Sequence, residues 1–164
     1  MFQLKSISKE SIPLALEKAE RYRLLNEPWM SDSICRDILE TDPQNSKAIL
    51  MLVLSIADQF DIGSHADVNE ANRLLDRLPG EYEREYYAGV VSERKGKSLL
   101  TKSAPDESLA YEWLYDAMQH YERAEAVRPP NNDDAILCWN TCVRLIQRCH
   151  LSPRNEPYIE PELE

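Results

Sequence analysis

The chain has 164 residues, 43% apolar and 29% charged, enough for one domain with a buried core. Its net charge of −10 argues against nucleic-acid and anionic-membrane partners, since both require a basic face. Four glycines against ten prolines, the latter at segment ends and in the tail, favour helices over tight-turned sheets.

Ser11 is placed to cap a first helix, with Pro13 in its first turn. Leu14, Ala15, Lys18, Ala19, Tyr22 and Leu25 follow at helical spacing. Asn26-Glu27-Pro28 interrupts, and a second helix is expected from about Trp29 to Glu40, ended by Asp42-Pro43. Residues 46–60 read as a third helix, apolar on nearly all sides and therefore central. DIGSHADV is a connection. A fourth helix is expected from Asn69 to Leu78, stopped by Pro79-Gly80.

The fifth helix begins near Tyr82 and is expected to reach Lys102. Ser103-x-x-Asp106 has the form of a capping box, and the sixth helix then runs to about Val127 before Pro129-Pro130. Asn131 or Asn132 caps a seventh, ending near His150, with Asp133 and Asp134 where the helix dipole favours negative charge. The expectation is all-α: about seven antiparallel helices in one domain over residues 1–150. Residues 151–164, LSPRNEPYIEPELE, read as an extended, acidic, proline-rich tail.

The proline-ended helices share a spacing. Ser31-x3-Cys35-x2-Ile38-x4-Pro43, Asp67-x3-Ala71-x2-Leu74-x4-Pro79 and Ala117-x3-Tyr121-x2-Ala124-x4-Pro129 are superimposable. The preceding helices carry Ala15-x2-Lys18-Ala19-x2-Tyr22, Ile49-x2-Leu52-Val53-x2-Ile56, Glu85-x2-Ala88-Gly89-x2-Ser92 and Ile136-x2-Trp139-Asn140-x2-Val143. These start at 15, 49, 85 and 136, so the intervals are 34, 36 and 51 residues. Small residues at such positions let helices approach, larger ones fill the gap, and proline stops the helix. The chain resembles the tetratricopeptide repeat family over roughly residues 12–149, as three helix pairs plus a terminal helix, with a longer third unit. An ordinary helical bundle with chance proline spacing is the alternative.

The resemblance implies an α-α superhelix whose first helices line a groove that binds a protein or peptide. By position, that groove presents Leu16, Glu20 and Arg23, then Lys47, Leu50 and Leu54. Glu83, Tyr86, Val90 and Arg94 follow, and then Leu137, Thr141 and Arg144. The expected surface is apolar with basic residues at intervals. The Lys, Asn and Arg set with which some relatives grip a chaperone carboxylate is not reproduced. Glu20 and Leu54 stand where its asparagine is wanted. The acidic tail, with Tyr158, Ile159 and Leu163, is one candidate occupant, in its own chain or a neighbour's.

Cys138, Cys142 and Cys149 share one face of the seventh helix. A thiolate metal site beside His150 is one reading; packing by small apolar thiols, with no cofactor or metal, is the expectation. Cys35 sits at a core position. His65, His120 and His150 follow no triad order, and the glycines are too scattered for a phosphate loop, so no enzyme is expected. Arg94, Lys95, Lys97 and Lys102 suit a helix C-terminus. Tyr111 and Tyr115 share a face, with Trp113 pointing elsewhere. That stretch is a candidate homodimer seam, and a purely structural self-assembling protein is the alternative function.

The opening MFQLKSISKESIPLALEKAERYRLL lacks the apolar core and cleavage site of a secretory leader. The longest apolar run, residues 48–57, is shorter than the roughly 20 residues a bilayer span needs. A cytoplasmic location with reduced thiols is expected.

Overall fold

The computed structural model describes residues 2–61 and 67–154. Among them are seven α-helices and no strand: α1 (Ile12–Leu24), α2 (Pro28–Thr41), α3 (Ser46–Ala57), α4 (Val68–Leu75), α5 (Glu81–Leu100), α6 (Glu107–Ala126) and α7 (Asp134–Arg148). A short 3-10 turn, Lys9–Ser11, precedes α1. Residues 155–164 of the expected tail, and His65 in the α3–α4 connection, lie outside the described residues.

Local chemistry sets the helix ends. Asn26 takes the left-handed φ of 61°, its N–H reaches the Arg23 carbonyl, and the Glu27 N–H reaches the Tyr22 carbonyl at 2.9 Å. This reversal caps α1 and delivers Pro28 to the first position of α2, where its missing N–H costs nothing. The same motif ends α7. His150 has φ 52°, the Leu151 N–H bonds the Ile146 carbonyl at 3.0 Å, and Leu151 folds into the core. Asn45, Asp67 and Asp106 cap α3, α4 and α6 through their side-chain oxygens.

Several expected ends move. Asp106 is itself the cap of α6, so Ser103 forms no capping box with it. Ser11 caps α1 only by position, since its hydroxyl donates to the Ser8 carbonyl behind it. The residue before α7 is Asp133; Asn132 accepts the Asp134 N–H, and Asn131 takes a left-handed φ of 64°. α3 ends at Ala57 and α4 at Leu75, and tight turns carry Phe60 and Leu78 inward after each stop.

Each helix packs on its neighbours in sequence, and further contacts join alternate helices: α1 to α3, α3 to α5 and α5 to α7. The α5–α6 pair is antiparallel. Gly96 faces Ala110 and Leu114, Gly89 faces Tyr121, and Glu85 meets Arg123, so numbers fall on one helix as they rise on the other. The two glycines bring the backbones close, because a Cβ at either position would crowd the facing side chain. One core cluster gathers around α3, with Ala19, Cys35, Ile49, Val53, Ala71 and Val91 buried. A second lies between α5, α6 and α7, around Leu114, Ala117, Tyr121 and Cys142. α5 contributes to both and joins the two halves.

Candidate functional site

A groove of about 930 Å³ lies between α1 and α3. Leu16, Glu20 and Arg23 are one helical row of α1; Lys47, Leu50 and Leu54 are the corresponding row of α3. The opposite faces of these helices are committed to the core through Ala19, Ile49, Leu52 and Ile56. The remaining rows therefore stand open beside one another. A smaller recess of about 300 Å³ shares Ser46, Lys47 and Leu50 and runs to Leu78, Pro79, Gly80 and Glu83 at the start of α5.

The far end of the groove is pinned by one carboxylate. Asp58, just beyond α3, receives the Arg23 Nε at 2.7 Å on one oxygen and the Arg94 Nη1 at 2.5 Å on the other. Arg94 also donates to the Leu54 carbonyl at 3.1 Å. Burial pushes the Arg94 guanidinium below its ordinary value, and Asp58 pulls against that. Arg23 and Arg94 thus hold α1, α3 and α5 together.

The expected Arg23 and Lys47 line the groove, but Glu17, Glu20 and Asp42 line it with them and Glu83 lines the recess. The groove is therefore apolar with mixed charge, three carboxylates to two cations, and one of those cations, Arg23, is engaged by the Asp58 that it shares with Arg94. The sequence missed Ile12, Pro13 and Met51 as lining residues; Met51 follows Lys47 by one helical turn.

The other expected groove residues are placed differently. Tyr86 is half-buried, stacked on Tyr82 at 5.6 Å and edge-on to Tyr87 at 4.9 Å, with its hydroxyl 3.6 Å from the Cys138 sulfur. Val90 packs on the same cluster. Leu137, Thr141 and Arg144 are exposed on α7, away from the groove lining. The basic cluster at the end of α5 is dispersed: Lys97 pairs with Glu93, and Lys95 lies 5.4 Å over the Phe60 ring. Of the aromatic trio, Tyr111 and Trp113 pack against the second core and Tyr115 is exposed, stacked on Tyr111 at 6.2 Å.

A second polar cluster lies on α5 and α6. Glu85 accepts from the Arg123 Nε at 2.9 Å and lies 2.8 Å from the His120 Nδ1, which the Arg123 Nη2 also approaches at 2.8 Å. Burial raises the Glu85 carboxyl, but these hydrogen bonds outweigh it and hold the group below its ordinary value. The Ser92 hydroxyl donates to Asp116 at 2.7 Å, and His120 approaches the same carboxylate oxygen at 3.8 Å. The carboxylate stands between serine and imidazole. In a hydrolytic triad the imidazole itself receives the hydroxyl proton, so this arrangement does not activate Ser92.

Cys35 and Cys142 are fully buried; Cys138 and Cys149 are half-buried in the second core. Burial pushes the Cys35 and Cys142 thiols up to about 12, with the Glu93 charge adding to the effect at Cys142. No group of three or more His, Cys, Asp or Glu among the described residues is arranged to hold a metal ion. No described helix is long and apolar enough to cross a membrane. No family model, curated protein or solved structure matches the chain.

Proposed function

We propose that the chain is a binding module, built as a tetratricopeptide-like array, whose α1–α3 groove receives an extended segment of a protein partner. The observation that carries this reading is the groove itself: six residues expected to face a ligand lie side by side over about 930 Å³. Two further features support the array. Ser31, Cys35 and Ile38 of α2 and Ala117, Tyr121 and Ala124 of α6, which occupy equivalent repeat positions, are all fully buried. The contacts of α1 with α3, α3 with α5 and α5 with α7 support the same reading, since a stack with its first helices in one layer would make them.

Leu16, Leu50 and Leu54 supply the apolar floor, and burying each such side chain against a ligand contributes about 1.5–3 kcal/mol. The excess of carboxylates in the lining, Glu17, Glu20 and Asp42 against Arg23 and Lys47, favours a segment carrying Lys or Arg. The chain's own EPYIEPELE tail has the wrong sign for it.

The test is affinity capture from the native lysate with wild type, Leu50→Asp and Leu137→Asp, after checking that all three melt alike. Leu50 lines the groove, and Leu137 is an exposed control on α7. A protein retained by wild type and Leu137→Asp but lost with Leu50→Asp supports the groove. Equal retention by all three moves the binding surface elsewhere.

A further inference from the structure

Residues 2–8 precede the first turn as an irregular arm. Its root is held: Ile7 packs on the cluster of Ile12, Ile38 and Ala48, and the Ile7 carbonyl accepts from the Thr41 hydroxyl at 3.3 Å. Its outer part is not. Phe2 is 105% exposed and Leu4 92%, the two most exposed large apolar side chains among the described residues. Two such side chains so close together on an arm leave an apolar surface that none of the described residues covers. Lys5 and Lys9 follow them, and no acid occurs from Phe2 to Lys9. The arm is therefore apolar and cationic, whereas the groove is apolar with three lining carboxylates, Glu17, Glu20 and Asp42, against the two cations Arg23 and Lys47.

We propose that the occupant of the groove is the arm of a second copy of this chain, exchanged reciprocally in a homodimer. The proposal rests on the groove being the binding surface and names what fills it. Phe2 and Leu4 seat on the floor formed by Leu16, Leu50 and Leu54, and Lys5 meets the lining carboxylates. Geometry favours the exchange. The arm leaves the body beside Thr41, and Asp42, the next residue, lines the groove mouth. Arm root and groove mouth are thus neighbours. A two-fold axis passing beside them lays each arm over the other copy's groove, a self-complementary closed contact. The five residues 2–6 extend about 17 Å, enough to enter a groove that starts at the arm's own root.

The arm does not occupy its own chain's groove: Phe2 and Leu4 stand exposed and neither lines it. Its root is held by the turn in which the N–H and the hydroxyl of Ser11 both bond the Ser8 carbonyl, at 3.2 and 2.8 Å.

The experiment is sedimentation velocity on full-length protein across a wide concentration range. It compares wild type, Phe2→Asp/Leu4→Asp and Leu50→Asp. Because Phe2 and Leu4 are almost wholly exposed, the arm variant is expected to keep the fold. Wild type is expected to dimerise, and either variant to weaken the dimer about tenfold or more. An equimolar mixture of the two variants, which leaves one intact arm and one intact groove, should recover part of the dimer. In parallel, a fluorescein-labelled peptide of residues 2–9 should bind the arm variant saturably, more weakly in high salt, and not bind Leu50→Asp. A wild type that stays monomeric, or a dimer that neither variant weakens, overturns the exchange. If the monomeric wild type still captures a foreign protein through Leu50, the groove stands as a binding surface and only its assigned occupant is wrong.

Discussion

The Tyr121 hydroxyl donates to the Glu93 carboxylate at 2.6 Å, and both side chains are withdrawn from solvent. Tyr121 belongs to α6 and Glu93 to α5. Lys97 engages the other carboxylate oxygen one turn along α5. Both carboxylate oxygens are thus partnered, which offsets the cost of withdrawing the group from water. Burial first, then the charge of Glu93, pushes the Tyr121 phenol far above its ordinary value, so it remains a donor throughout the working pH range.

Tyr121→Phe removes that donor without changing the shape of the core. The expected cost is about 1.5–3 kcal/mol, the range for a hydrogen bond to a charged group. Gly89→Ala reaches the same interaction from the other side. A Cβ there would lie 2.6 Å from the Tyr121 ring, and the ring cannot retreat without leaving Glu93. The helix-propensity gain of about 1 kcal/mol is therefore outweighed, and the substitution destabilises. Urea unfolding of both variants checks this. A Gly89→Ala protein more stable than wild type would show that the ring has room to move.

Asp58→Asn leaves Arg23 and Arg94 facing one another without their shared counter-charge. All three side chains are about a quarter exposed or less, so the loss should fall between that of a surface pair and a buried one, about 1–3 kcal/mol. High salt should recover part of it by screening the two guanidiniums. A double-mutant cycle with Arg23→Gln separates the ion pair from packing. A cost that does not respond to salt would assign the effect to the Arg94–Leu54 hydrogen bond instead.

The buried thiols set an alkaline limit. In the native protein Cys35 and Cys142 stay protonated until about 12, whereas in the unfolded chain they ionise near the ordinary thiol value. The unfolded state therefore loses these protons first. The stability they contribute is complete below about pH 8 and falls as pH rises beyond it. Unfolding midpoints measured across that window should decline, and less so in a Cys35→Ala/Cys142→Ala protein. Native-state alkylation should modify Cys138 and Cys149 well before Cys35 and Cys142, with urea abolishing the difference. Equal rates would place the buried pair in rapid local opening.

The repeat spacing was legible where it rests on burial. Ser31, Cys35, Ile38, Ala117, Tyr121 and Ala124 were singled out by position alone, and all six are fully buried. The third copy was legible only in part: Ala71 and Leu74 are buried, but Asp67 is the cap of α4. A polar residue at a core spacing looks the same in sequence whether it faces inward or ends the helix. Helix caps were missed for a related reason. Asn131, Asn132 and Asp133 all have capping side chains, and only the turn after Pro129-Pro130 decides which N–H each one meets.

The sequence by itself determined the helices, their approximate ends and the two rows on α1 and α3 that form the groove. Periodicity and proline placement are local properties, and a side chain's position on its own helix follows from them. Only the tertiary structure decided the charge of that groove and its extent. Arg23 and Arg94 read as free cations until Asp58, remote from both in sequence, proves to bind each of them. Tyr86 reads as a ligand contact until Tyr82, Tyr87 and Tyr121 surround it. Pairing between distant charges and rings depends on how helices are brought together in space, and no spacing along one helix encodes it.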